Sequence, residues 1–118
     1  MSIITLILAT LVALEQAYIM YIETFATQST ATQRIFNISK EELENPTIDN
    51  LFKNQGIYNG LIALFLIYGL FIAQNSEIVA LFLVNILATA LYGALTVDKK
   101  ILFKQGGVAL MALISLLF

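Results

Sequence analysis

The chain has neither cysteine nor histidine among its 118 residues. The first absence removes disulfide exchange and thiolate nucleophiles. The second removes histidine-ligated haem, and together they remove the usual zinc and copper sites. The lack of cysteine does not by itself define a redox compartment. Charge is also scarce, at 12% of residues against 59% hydrophobic, with a mean hydropathy of +0.87. A soluble domain of this length has too little interior to hide so much apolar surface. The first Lys or Arg is Arg34, so no basic segment precedes the first apolar run. A cleaved signal peptide is therefore not expected, and that run reads as a retained span.

What is present is four apolar segments in one domain: Ile3–Phe25, Gln55–Ala73, Glu77–Thr96 and Ile101–Phe118. Each reaches the roughly 17–25 residues that a tilted transmembrane helix needs. Gln74-Asn75-Ser76 joins the second to the third, and Val97-Asp98-Lys99-Lys100 joins the third to the fourth. Links this short make neighbours antiparallel, so the expected fold is an all-α, up-down-up-down four-helix membrane bundle.

The polar stretch 26–54 is the one sizeable loop, and it is expected to be partly helical. Ser39-Lys40-Glu41-Glu42 reads as a capping box opening a short helix that stops before Pro46. Thr47 is expected to cap a further helix, supported by Asp49 and Lys53 at i,i+4, that runs into the second span. Apolar residues including Ile35, Phe36, Leu43, Leu51 and Phe52 give the loop a side suited to a membrane surface. All six cations (Arg34, Lys40, Lys53, Lys99, Lys100 and Lys104) fall in the first and third loops or at the adjoining helix end. The positive-inside rule then places the long loop in the cytoplasm and both termini outside. That orientation also argues against use of the sequon-like Asn37-Ile38-Ser39.

Polar side chains interrupt the spans in a pattern. Glu15 lies near the centre of the first, where a carboxylate is costly unless neutralised or paired. At about 100° per residue, Asn85, Thr89, Tyr92 and Thr96 form one stripe along the third span. Lipid offers such groups no hydrogen bonds, so the stripe is expected to face the other helices, with Asn85 at the depth of Glu15. Gln55, Tyr58 and Asn59 share a face of the second span, Tyr18 lies beside Glu15, and Glu23 and Gln105 fall in the cytoplasmic half. The ligand- or proton-binding candidates are thus Glu15, Tyr18, Glu23, Gln55, Tyr58, Asn59, Asn85, Tyr92 and Gln105. They would line a polar cavity facing the cytoplasm with Glu15 at its floor. The plainer reading is that these groups are glue between helices, worth about 0.6 kcal/mol each on average. Gly56 and Gly60 have the small-xxx-small spacing of a close helix contact. Phe65, Tyr68, Phe71 and Phe82 suit packing and the outer interface.

Asn54-Gln55-Gly56-Ile57-Tyr58-Asn59-Gly60 is the most specific run in the chain. With Ala13-Leu14-Glu15, Tyr18-Ile19-Met20-Tyr21-Ile22-Glu23, Tyr92-Gly93, Lys100-Ile101-Leu102 and Gln105-Gly106, it resembles the small bacterial membrane proteins of the domain of unknown function 1304 family. The likeness spans nearly the whole chain and implies a four-span protein of the bacterial inner (plasma) membrane. It implies no particular activity. That family usually has a histidine after the first glutamate, where this chain has Gln16, and often a proline where it reads Gly107-Val108.

Three functions compete. The leading expectation is a protein that binds or transports a small solute, with proton coupling through Glu15. Small multidrug transporters share its length, span number and first-span glutamate, but by architecture alone. The alternative is a non-catalytic membrane subunit or assembly partner whose polar stripe only holds the bundle together. An enzyme is not expected, because no nucleophile motif, metal cluster or phosphate-binding loop is present. Glu15 and Glu23 are also eight residues apart, about 12 Å along a helix, which is too far for a shared-proton dyad. No cofactor or metal is implied. The expected partners are the lipid bilayer and a small solute or lipid. Homo-oligomerisation stays open, and nucleic-acid binding is not expected.

Overall fold

The computed structural model describes residues 1–118, and the chain is helical throughout, without strands. Helix α1 (Ile3–Met20) runs on into a π-helical turn, Tyr21–Phe25. Two short helices follow, α2 (Thr30–Phe36) and α3 (Lys40–Leu43). Then come α4 (Pro46–Ile67) with its own π-turn (Tyr68–Ile72), and α5 (Ser76–Thr96). A third π-turn (Leu102–Gly106) leads into α6 (Gly107–Ser115). Three helical stretches are long and apolar enough to cross a membrane: Ile3–Phe25, Pro46–Ile72 and Ser76–Thr96. The last apolar helix, Leu102–Ser115, is shorter than the sequence suggested. Its start is a wider π-turn, and its end gives way to turns before Phe118.

The structure divides into two compact units, one made of Met1–Glu15 with Ile62–Phe118 and the other of Gln16–Leu61. The core of the first is Ala9, Val12 and Ala13 of α1, Leu66 and Leu70, Val79, Leu83 and Ile86 of α5, and Ala109 and Ala112 of α6. These small and branched side chains pack closely against one another. Small residues permit that packing. A Cβ on Gly69 would lie 2.8 Å from Ile78 Cγ2, and one on Gly106 would lie 3.1 Å from Leu87 Cδ1. At the far end of α6, Ser115 and Thr5 share a hydroxyl hydrogen bond of 2.7 Å, with Thr5 fully buried. Phe65 and Phe82 pack with ring centroids 5.6 Å apart.

The link between α4 and α5 lies where the sequence placed it. Gln74 takes a left-handed backbone (φ 48°), and the Asn75 side chain caps α5 by accepting from the N–H groups of Glu77 and Ile78 at 2.9 and 3.2 Å. The capping box is present too, with Ser39 Oγ accepting from Glu42 N at 3.1 Å. One cap differs from expectation. Helix α4 begins at Pro46, and its first free N–H, on Thr47, donates to Asn45 Oδ1 at 2.9 Å. Asn45 is therefore the N-cap and Thr47 lies inside the helix, because proline has no N–H of its own to satisfy.

Candidate functional site in the Gln16–Leu61 unit

The first helix cannot simply stop at Phe25, because its last carbonyls need donors. The π-turn handles part of this, with Ala26 N–H donating to Tyr21 O at 3.0 Å. Threonines supply the rest. Thr27 Oγ1 donates to Glu23 O at 2.7 Å, and the fully buried Thr32 donates to Ile22 O and Ala26 O, each at 2.8 Å. Thr32 is held in place by α2, which Ser29 caps through Thr32 N and which Asn37 ends in a left-handed conformation (φ 52°). This small scaffold fixes the turn that carries Glu23.

Glu23 is 0% exposed. Its carboxyl accepts from Gln55 Nε2 at 2.5 Å and from Asn59 Nδ2 at 2.6 Å. Both carboxamides project from one face of α4, four residues apart, and each turns its amide N–H toward the carboxyl. Two glycines let α4 come this close. A Cβ on Gly56 would fall on Thr24 Oγ1 and lie 3.0 Å from Glu23 Cβ and 3.1 Å from Met20 O, while one on Gly60 would lie 2.7 Å from Met20 Cγ. Thr24 Oγ1 adds a hydrogen bond to Lys53 O at 3.1 Å. Glycine spacing, interhelical distance and carboxyl recognition are thus one feature.

A polar cleft of about 350 Å³ opens beside this turn, lined by Thr24, Thr27, Gln28, Ser29, Asp49 and Lys53 among others. Lys53 pairs with Asp49 at 2.7 Å, the i,i+4 pair expected from the sequence, and no cationic side chain pairs with Glu23. The arrangement is a buried carboxyl held by two amide N–H donors, in the end of a helix long and apolar enough to span a membrane. A carboxyl of this kind can take up or release a proton.

The other candidates lie elsewhere. Tyr58 and Tyr18 are exposed, and Gln105 is half-buried. Glu15, in the other unit, is half-buried, and its buried Oε1 makes no hydrogen bond. The expected pairing of Glu15 with Asn85 is therefore not formed. Asn85, Thr89, Tyr92 and Thr96 are all exposed, so the stripe on α5 points outward rather than into its own bundle. Instead α5 packs through its small and branched apolar face, Val79, Leu83, Ile86 and Ala90. Sequence reading missed the roles of Thr27 and Thr32, although the density of hydroxyls in Thr27-Gln28-Ser29-Thr30 with Thr32 was a signal for a bonded helix end.

The family described as "Protein of unknown function (DUF1304)" matches residues 10–117. The "Uncharacterized protein YpaA" of Lactococcus lactis subsp. lactis (strain IL1403) is 59% identical over 119 residues, covering all of both chains. No solved structure matches the chain. The family match runs through Glu23, Gln55 and Asn59 and covers nearly the full length, so the chain belongs to the protein of unknown function DUF1304 family.

Proposed function

We propose that the protein is a four-span inner-membrane protein that binds, and in binding moves, a proton or a small cationic solute at Glu23. The observation carrying this reading is a fully buried carboxyl whose partners are two neutral carboxamides and no cation. An intramembrane carboxylate with no protein counter-charge is expensive, and in membrane proteins such groups mark ion and proton paths. A proton or a cation supplies the missing charge. The cleft beside Thr24 and Thr27 gives a polar approach from the side that the cation distribution places in the cytoplasm. Glu15, with its unpartnered oxygen, is a second acidic group for a coupled proton. The fourth span is the short helix Leu102–Ser115, with Lys104 and its neighbours reaching the interface.

The test is thermal unfolding of the protein in lipid nanodiscs against sodium, potassium and a set of small organic ammonium ions. At least one cation should raise the melting temperature of the wild type and leave Glu23→Gln unmoved. An equal response in both proteins, or none in the wild type together with no Glu23-dependent acidification of dye-loaded proteoliposomes, would refute the reading.

A further inference from the structure

Helix α5 presents to its surroundings a largely apolar face with one carboxamide near its middle. The buried positions are Val79, Leu83, Ile86 and Ala90. Opposite them lie Leu81, Asn85, Ala88, Tyr92 and Leu95, all exposed, with Leu81 at 67%, Tyr92 at 69% and Leu95 at 78%. Their spacing is 4-3-4-3, the repeat of a two-helix coiled-coil seam. Thr89 and Thr96 satisfy their hydroxyls on their own helix, donating to Asn85 O and Tyr92 O at 3.0 and 2.8 Å. The Asn85 carboxamide, near the middle of the helix, has no such partner within the chain. In hydrocarbon a carboxamide needs one.

We infer that α5 pairs with α5 of a second copy of this chain, in parallel about a two-fold axis, through Leu81, Asn85, Ala88, Tyr92 and Leu95. Three features of the chain select that occupant. A carboxamide is donor and acceptor at once, so Asn85 of one copy bonds Asn85 of the other across the axis without a complementary group from a different protein. The exposed seam carries no charge that would oppose like-with-like contact. The cation asymmetry orients every copy the same way, so the two helices run parallel, and a lone Asn in a parallel seam fixes both register and a two-stranded state. Ala88, one turn from Asn85, leaves room for the backbones to approach.

The cysteine-free chain makes the test direct. Single substitutions Leu81→Cys, Ala88→Cys and Leu95→Cys report the seam, Val84→Cys and Leu91→Cys its flank, and Ile4→Cys an exposed position on α1. After oxidation in bilayers, the three seam positions should form disulfide-linked dimers several-fold more than the flank, and Ile4→Cys should form none. Adding Asn85→Ala to Ala88→Cys should weaken association roughly three- to tenfold, while adding Glu23→Gln should leave it unchanged, which separates this pairing from ligand binding. Equal yields at all positions, dimers through Ile4→Cys alone, or monomers throughout would overturn the assignment.

Discussion

Asn59 Nδ2 donates to Glu23 Oε1 at 2.6 Å across a helix contact that only glycine at position 56 allows. The bond joins the end of the first apolar helix to the second, and it satisfies one oxygen of a carboxyl that no water reaches. Removing Asn59 leaves one oxygen of the buried carboxyl without its donor.

Asn59→Ala should therefore lower stability by about 1–3 kcal/mol, the cost of an unmet buried acceptor. Thermal unfolding in nanodiscs measures it. Asn54→Ala, a change to an exposed carboxamide that bonds only Asn50 O of its own helix, should fall within about 0.5 kcal/mol of wild type.

Gly56→Ala and Gly60→Ala look alike in sequence but should differ in effect. At Gly56 the new methyl meets Thr24 Oγ1, Glu23 Cβ and the Met20 carbonyl, so helix and backbone must separate. At Gly60 it meets the flexible side chain of Met20, which can turn aside. The first should cost about 1–3 kcal/mol by overpacking and the second less than about 1 kcal/mol. Equal losses in a melting comparison would mean that the Gly56 contact is not tight.

Thr32→Val keeps the shape of a fully buried side chain but removes the donor to Ile22 O and Ala26 O. Hydrogen exchange should rise in Tyr21–Ala26 while the amides of α5 stay protected. The global melting temperature should fall by the equivalent of about 1–3 kcal/mol.

Ser39→Ala removes the α3 capping box, a change worth about 0.5–2 kcal/mol to that helix. Because α3 is four residues long and mostly solvent-facing, the effect should be confined to exchange of its own amides. A large drop in the global melting temperature would show that α3 carries more of the fold than its exposure indicates.

These contrasts also indicate how far the sequence could be read. The long apolar helices were legible because hydrocarbon length and hydrophobic run length match, as were the Asn75 turn, the Ser39 capping box and the Asp49–Lys53 pair. Thr47 reads as a cap because threonine is a good one, but the helix begins at Pro46 and the cap is Asn45. The π-turns have no composition signal, and one of them sets the position of Glu23. Depth counted from the helix ends put Glu15 beside Asn85, but depth says nothing of which face a helix presents. Packing of Val79, Leu83, Ile86 and Ala90 chose that face and turned the polar stripe outward. The sequence sets Gln55 and Asn59 on one face of the second span but joins Glu23 to them only by depth. Their convergence depended on how closely Gly56 lets two backbones approach, which is a tertiary quantity.

The most direct measurement is a double-mutant cycle of Glu23→Ala and Asn59→Ala, read by unfolding in nanodiscs. If the buried carboxyl is held by the carboxamide of α4, the two losses should be non-additive, with a coupling of about 1 kcal/mol or more. Additivity within about 0.5 kcal/mol would contradict it, and with it the site built around Glu23.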